Sequence, residues 1–150
     1  MAGFNDDSAL VAYYEIKDPG HEYKEDWGTA TVAALAGGIV AILAMPNTNP
    51  AVVDEASLQL AMERAASRAY CDYGLFVGAT ADNVGSVGQL GGHVVGLKMY
   101  LNETFSTLSL SGKLNIWKKH FETILLSGLS PRLPPLHAAR KIHNAQETVS

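Results

Sequence analysis

Gly96-Leu97-Lys98-Met99-Tyr100-Leu101-Asn102-Glu103-Thr104-Phe105-Ser106 sets one lysine inside a run that otherwise reads as a largely apolar strand. An ammonium taken out of water costs several kcal/mol unless it is paired or neutralised. The two-residue period of a strand puts Gly96, Lys98 and Tyr100 on one face and Leu97, Met99 and Leu101 on the other. Lys98 is therefore aimed into whatever space lies on that first face.

Upstream, 39–45 is a continuous apolar run closed by Pro46, the pattern of a strand covered on both faces. Strands are expected at 10–16, 39–45, 73–79 and 94–101. Between them, Asp26 is positioned to cap an alanine-rich helix that stops at Gly37-Gly38. Asp54 is positioned to cap another, whose Leu58, Ala61, Met62, Ala65, Ala66 and Ala69 form one apolar stripe opposite Glu55, Gln59 and Glu63. The glycine-rich stretch 82–92 permits only a short helix, and 114–126 is a further helix candidate. Strand and helix alternate four times with short connections, which implies right-handed βαβ crossovers and a parallel sheet in sequential order. Alternation alone also accommodates a compact flavodoxin-like fold.

The eleven residues quoted first resemble the segment of dihydroorotases, in the cyclic amidohydrolase family, that carries a carboxylated lysine bridging two zinc ions. Three further blocks follow the family's order: KEDWGTATVAALAGG at 24–38, IVAILAMPNTNP at 39–50 and CDYGLFVGAT at 71–80. The resemblance covers roughly residues 17 to 123 and leaves a flavodoxin-like fold without an explanation for it. It implies an α/β architecture, a partial (β/α)8 metal-dependent amidohydrolase barrel. A full barrel needs about 250 residues, so the chain holds about four βα units with parallel strands. The expected organisation is a flexible N-terminus at 1–9, the partial barrel at 10–126 and a divergent C-terminal segment at 127–150.

Every site assignment follows from that resemblance. Lys98 corresponds to the metal-bridging lysine, whose neutral amine captures carbon dioxide as a carbamate; burial, which lowers a lysine pKa, favours this. The ordinary alternative is a lysine snorkelling from a strand end. Where dihydroorotases carry His-x-His before Leu-Arg-Glu-Pro-Gly, alignment on Asp18-Pro19-Gly20 gives Tyr13-Tyr14-Glu15-Ile16-Lys17. Glu15 can offer oxygen to a metal, whereas a phenol is a poor ligand at neutral pH. The family's substrate-gripping arginine falls at Lys17, which keeps the charge and loses the bidentate fork. Asn47 matches the family's substrate asparagine, with a turn asparagine as the alternative. Thr104 and Phe105 match the segment beyond the lysine strand, with a plain loop as the alternative. His143 and His137 compete for the family's next histidine ligand, and either also reads as a surface histidine. His21, His93 and His120 match no ligand position, and the family's final histidine and general-base aspartate have no counterpart.

The chain has 150 residues, 47% of them hydrophobic, and a formal net charge of -4. That balance argues against a nucleic-acid surface. With no long apolar stretch or leader pattern in evidence, no membrane partner and a cytoplasmic location are expected. Cys71, the single cysteine, excludes an internal disulfide and reads as a small buried hydrophobe. The leading expectation is a dihydroorotase-like segment of pyrimidine biosynthesis, with zinc as family cofactor and a small-molecule substrate, inactive as this chain. The alternative is a non-catalytic remnant or interaction module; a third reading is an incomplete or aberrantly spliced product. Open sheet edges and uncovered inner faces lead to an expectation of self-association.

Overall fold

The computed structural model describes residues 10–102, 108–126 and 137. Strand β1 (Val11–Tyr14) is followed by helix α1 (Trp27–Ala36), strand β2 (Ala41–Ala44), helix α2 (Glu55–Arg68) and strand β3 (Asp72–Gly78). A 3-10 turn over Val87–Leu90, strand β4 (Gly96–Lys98) and helix α3 (Leu114–Leu126) complete the order. All four strands are parallel and lie in the order β1-β2-β3-β4, as the alternation required.

The caps lie where the sequence put them. The Asp26 side chain accepts from Thr29 N at 2.9 Å, and α1 ends on Gly37, with Gly38 at a φ of 81° beyond it. Asp54 accepts from Ser57 N at 2.8 Å, while Ser57 Oγ receives the Asp54 N–H at 3.1 Å, a reciprocal box that closes the first turn of α2.

Strand register sorts the side chains into two layers. Tyr13, Leu43 and Gly74 are level with one another, as are Ala12, Ile42 and Tyr73. The second set lies under the helices, where Ile16, Trp27, Ala30, Ala34, Ile42, Ala44, Leu58, Ala61, Ala65, Tyr73, Leu75 and Val77 pack into the main core. Cys71 is buried in it, and burial pushes its thiol upward. The first set faces away from the helices, and there Val11 and Tyr13 remain 47% and 69% exposed.

β4 is shorter than the expected 94–101. Val95 N still donates to Leu75 O at 2.9 Å, but past Lys98 the chain leaves β3, and Tyr100 bridges Ser109 instead. Leu101 consequently stands exposed rather than inside a sheet.

Two loops beyond the strands' carboxyl ends are locked together. Asn49 N donates to Pro19 O at 3.0 Å, and a Cβ on Gly20, whose φ is 101°, would overlap the Asn49 carbonyl. Asp18 is the buried anchor: its carboxylate lies 2.8 Å from Arg68 and 3.9 Å from Arg64, and its carbonyl accepts from Trp27 Nε1 at 3.2 Å. Burial outweighs the two half-screened guanidiniums and raises the carboxyl pKa above its usual value.

That balance predicts an asymmetric pair of mutants. Arg68→Met leaves a buried carboxylate with only the distant Arg64, so it should cost about 2–4 kcal/mol in chemical denaturation. Asp18→Asn frees two guanidiniums that water can still reach, and should cost under about 1 kcal/mol. Because Asp18's folded pKa is raised, wild-type stability should decline as pH climbs from the ordinary carboxylate range through that raised value. Asp18→Asn should remove this part of the profile.

Candidate functional site

A cleft of about 520 Å³ opens on the helix-free face, lined by Tyr13, Tyr14, Glu15, Met45, Phe76 and Lys98. The strand period explains Tyr13, Phe76 and Lys98, whereas Tyr14 is level with Ala44 and Leu75 and also packs against the core. Tyr13 comes from the end of β1, and Phe76 is level with Gly96, while Gly78 is level with Lys98. A Cβ on Gly96 would approach Phe76 to 3.2 Å, so glycine there leaves room for the Phe76 ring, which sits 5.9 Å from the Tyr13 ring at 30°. Leu97 turns the other way and packs against the core.

Lys98 Nζ lies 5.3 Å from the centre of the Tyr100 ring, the next residue on its face. Tyr100 is buried, and burial, with the Glu15 charge adding to it, pushes its phenol up to about 12, so it stays neutral at physiological pH. Glu15 is engaged by Lys17 at 3.0 Å. The structure thus brings Tyr13, Glu15, Lys17 and Lys98 into one neighbourhood, the positions that the alignment on Asp18-Pro19-Gly20 and the lysine register had linked.

Asn47 sits beyond the end of β2, in a loop closed by Val52 N donating to Pro46 O at 3.0 Å. The residue is only 9% exposed, and neither Oδ1 nor Nδ2 has a hydrogen-bond partner among the described residues. A buried amide without partners is costly, and a turn role does not explain it. It is not among the residues lining the Lys98 cleft.

His137 lies elsewhere. Its backbone exchanges hydrogen bonds with Tyr73, with N···O distances of 2.7 and 3.0 Å, and its ring stacks on the Tyr73 ring at 5.2 Å. Residues directly opposite in an antiparallel pair share a face, so the imidazole is on the helix side of the sheet. Tyr73 is also five residues down β3 from the level of Lys98, about 16 Å along the strand. As a ligand beside Lys98, His137 is therefore corrected by the structure: both its face and its height are wrong. His143, Thr104 and Phe105 lie outside the described residues. Among the described residues no three His, Cys, Asp or Glu side chains gather closely enough to hold a metal ion.

Two residues that sequence reading passed over organise the loops behind the cleft. Asn83 Oδ1 accepts from Thr80 N at 2.9 Å, while Nδ2 donates to Val53 O at 2.7 Å and Gly78 O at 2.8 Å, tying the β2–α2 loop to the end of β3. His120, fully buried on α3, places Nε2 2.8 Å from Thr80 O. The only local sign of the first was Thr80-Ala81-Asp82-Asn83, a turn-forming cluster. The second carried no sign, since α3's register against a distant loop is a tertiary fact.

No family model matches the chain. Multifunctional protein pyr1-3 of Dictyostelium discoideum is 47% identical over 108 residues, covering 72% of this chain and 5% of that protein. Multifunctional protein CAD of Squalus acanthias is 39% identical over 141 residues, 94% of this chain and 6% of that protein. A dihydroorotase of Methanosarcina mazei is 30% identical over 120 residues, 79% of this chain and 25% of that enzyme. The chain therefore spans a quarter or less of the length of these relatives. Among solved structures, the L-hydantoinase (dihydropyrimidinase) from Arthrobacter aurescens superimposes with a TM-score of 0.70 at 19% identity, over 80% of this chain and 27% of that one, which establishes the barrel fold. The inactive dihydroorotase-like domain of the Chaetomium thermophilum CAD-like multifunctional protein gives a TM-score of 0.63 at 25% identity, over 77% of this chain and 34% of that one.

The orphaned amide yields a test. Asn47→Leu, similar in size and free of unpaired polar atoms, should stabilise the protein by about 1 kcal/mol in urea unfolding. A loss of similar size would show instead that the amide is satisfied within the fold.

Proposed function

We propose that this chain, which is a dihydroorotase-like segment of the amidohydrolase barrel, belongs to pyrimidine biosynthesis and does not itself turn over the family's substrate. The reaction implied by the resemblance interconverts N-carbamoyl-L-aspartate and L-dihydroorotate at a zinc-held hydroxide. In this reading Lys98 keeps the position of the bridging lysine, and Lys17 and Asn47 keep those of the groups that grip the substrate carboxylate.

The observation that carries the proposal is the state of Glu15. Among the described residues it is the one carboxylate lining the cleft, and Lys17 holds its Oε2 at 3.0 Å, so one of its two oxygens is already committed. Zinc needs three or four nitrogen, sulfur or oxygen donors arranged around it. Tyr13 stands where an imidazole would be required, and an ammonium at Lys98 donates no lone pair. The described residues do not fit the metal.

The second reading, a scaffold kept for interaction, is favoured by Val11 and Tyr13, exposed on a sheet face that most such barrels bury. Sedimentation should then show self-association that Tyr13→Lys reduces. A compact monomer at all concentrations would count against it.

Activity decides the primary proposal. Purified chain assayed in both directions with added zinc and bicarbonate should show no turnover above that of Lys98→Ala, and should carry no stoichiometric zinc by elemental analysis. Tyr13→His combined with Glu15→His should raise zinc affinity by at least about tenfold, because two imidazoles on one strand face rebuild half of a ligand set. Turnover in the unmodified chain that Lys98→Ala abolishes would overturn the proposal.

A further inference from the structure

We infer that a second copy of this chain covers the helix-free face. In this arrangement β4 of each copy pairs in parallel with β1 of the other about a two-fold axis, and two half-barrels close into one ring of eight strands. It deepens the interaction reading above, on which it rests, by naming the partner. It also makes the Lys98 cleft a site that only the second copy completes.

The character of the face demands a cover. All-parallel sheets occur almost only with both faces covered, and α1 and α2 cover one of them. On the other face Tyr13, Leu43, Met45, Gly74, Phe76 and Gly96 carry no charge, while Asp72 stands toward the amino ends of the strands and Glu15 and Lys98 at the carboxyl ends. A barrel interior is built this way, packed with uncharged side chains between polar ends. The sheet also bends toward closure, since groups at the ends of β1 and β4, its first and last strands, line one cleft.

The two edges fit one another. Leu10 O and Tyr14 O accept from Val40 N and Met45 N, so alternation turns the backbone groups of Val11 and Tyr13 outward from β1. Val95 N donates to Leu75 O, which by the same rule turns the Gly96 backbone outward from β4. Among the described residues neither edge has a further strand beside it. Both strands run in the same direction, so a seam between β4 and β1 is parallel like every other pair in the sheet, and the two-fold axis makes that seam twice.

Charge is complementary across the seam. Lys98 ends β4 and Glu15 follows β1, both at the carboxyl ends of strands that the seam makes neighbours. The Glu15 side chain is 55% exposed, and Lys17 takes one of its two oxygens, which leaves the other for the Lys98 ammonium of the second copy.

The test mixes two single variants of the full chain, Glu15→Cys and Lys98→Cys, under mild oxidation. One seam of the mixed dimer brings two thiols onto adjacent strands, about 4.8 Å apart and within disulfide reach, while the other seam keeps the native charge pair. The native Cys71 is buried and present in both variants, so each variant alone is the control. The mixture should yield at least about ten times more disulfide-linked dimer than either variant alone. Sedimentation of the unmodified chain should show association that stops at the dimer, because a closed ring leaves no edge free. Lys98→Glu should raise the dissociation constant by about tenfold, and adding Glu15→Lys to it should restore the constant to within about threefold. If Lys98→Glu fails to fold, the mixed cross-linking still decides. Growth beyond the dimer, or a dimer without preferential mixed cross-linking, would overturn the inference and leave the interaction reading standing. A monomer at every concentration would overturn both.

Discussion

The two-residue period of a parallel strand governs this molecule. Each strand must send alternate side chains to opposite faces, and α1 and α2 cover only one of them. Everything apolar on that side is drawn into a core from Ile16 to Val77. The other side carries the strand residues that line the cleft, which is why Tyr13, Phe76 and Lys98, far apart in sequence, meet there. A slip of one residue in any strand would exchange the two sets and destroy core and cleft at once.

Where a barrel of this kind does chemistry, the groups stand at the carboxyl ends of the strands and on the loops just beyond. Here those loops are fixed by unusually direct means. Asp18 is buried against two arginines, Gly20 lets the Asn49 carbonyl approach closely, and Asn83 joins two backbone segments through three hydrogen bonds of one side chain. The loops that border the cleft are therefore fixed, and the side chains facing it include the phenol of Tyr13, the carboxylate of Glu15 paired with Lys17, and the amine of Lys98.

Stability and binding pull in different directions at Asn47. Its amide is buried without partners, a cost that packing alone would have removed by an apolar residue. Lys98 differs: it is partly exposed on the cleft wall and leans on an aromatic ring, so its charge is tolerated without a buried partner.

The sequence by itself determined the strand and helix order, the caps at Asp26 and Asp54, the face on which Lys98 stands and the family resemblance. These are set by local rules: an aspartate that accepts from the first-turn N–H groups, an alternation that cannot be escaped, a run of residues in fixed register. Tertiary structure alone decided that β4 ends at Lys98, that Glu15 is spent on Lys17, that Asn47 is buried without a partner, and that His137 stacks on Tyr73 on the far side of the sheet. Each of these depends on which distant group arrives at a given point in space, and neither spacing nor periodicity carries that information. Histidine shows the difference most plainly. A sequence can count imidazoles, but only packing decides that His120 is sealed against Thr80 and His137 turned away from Lys98.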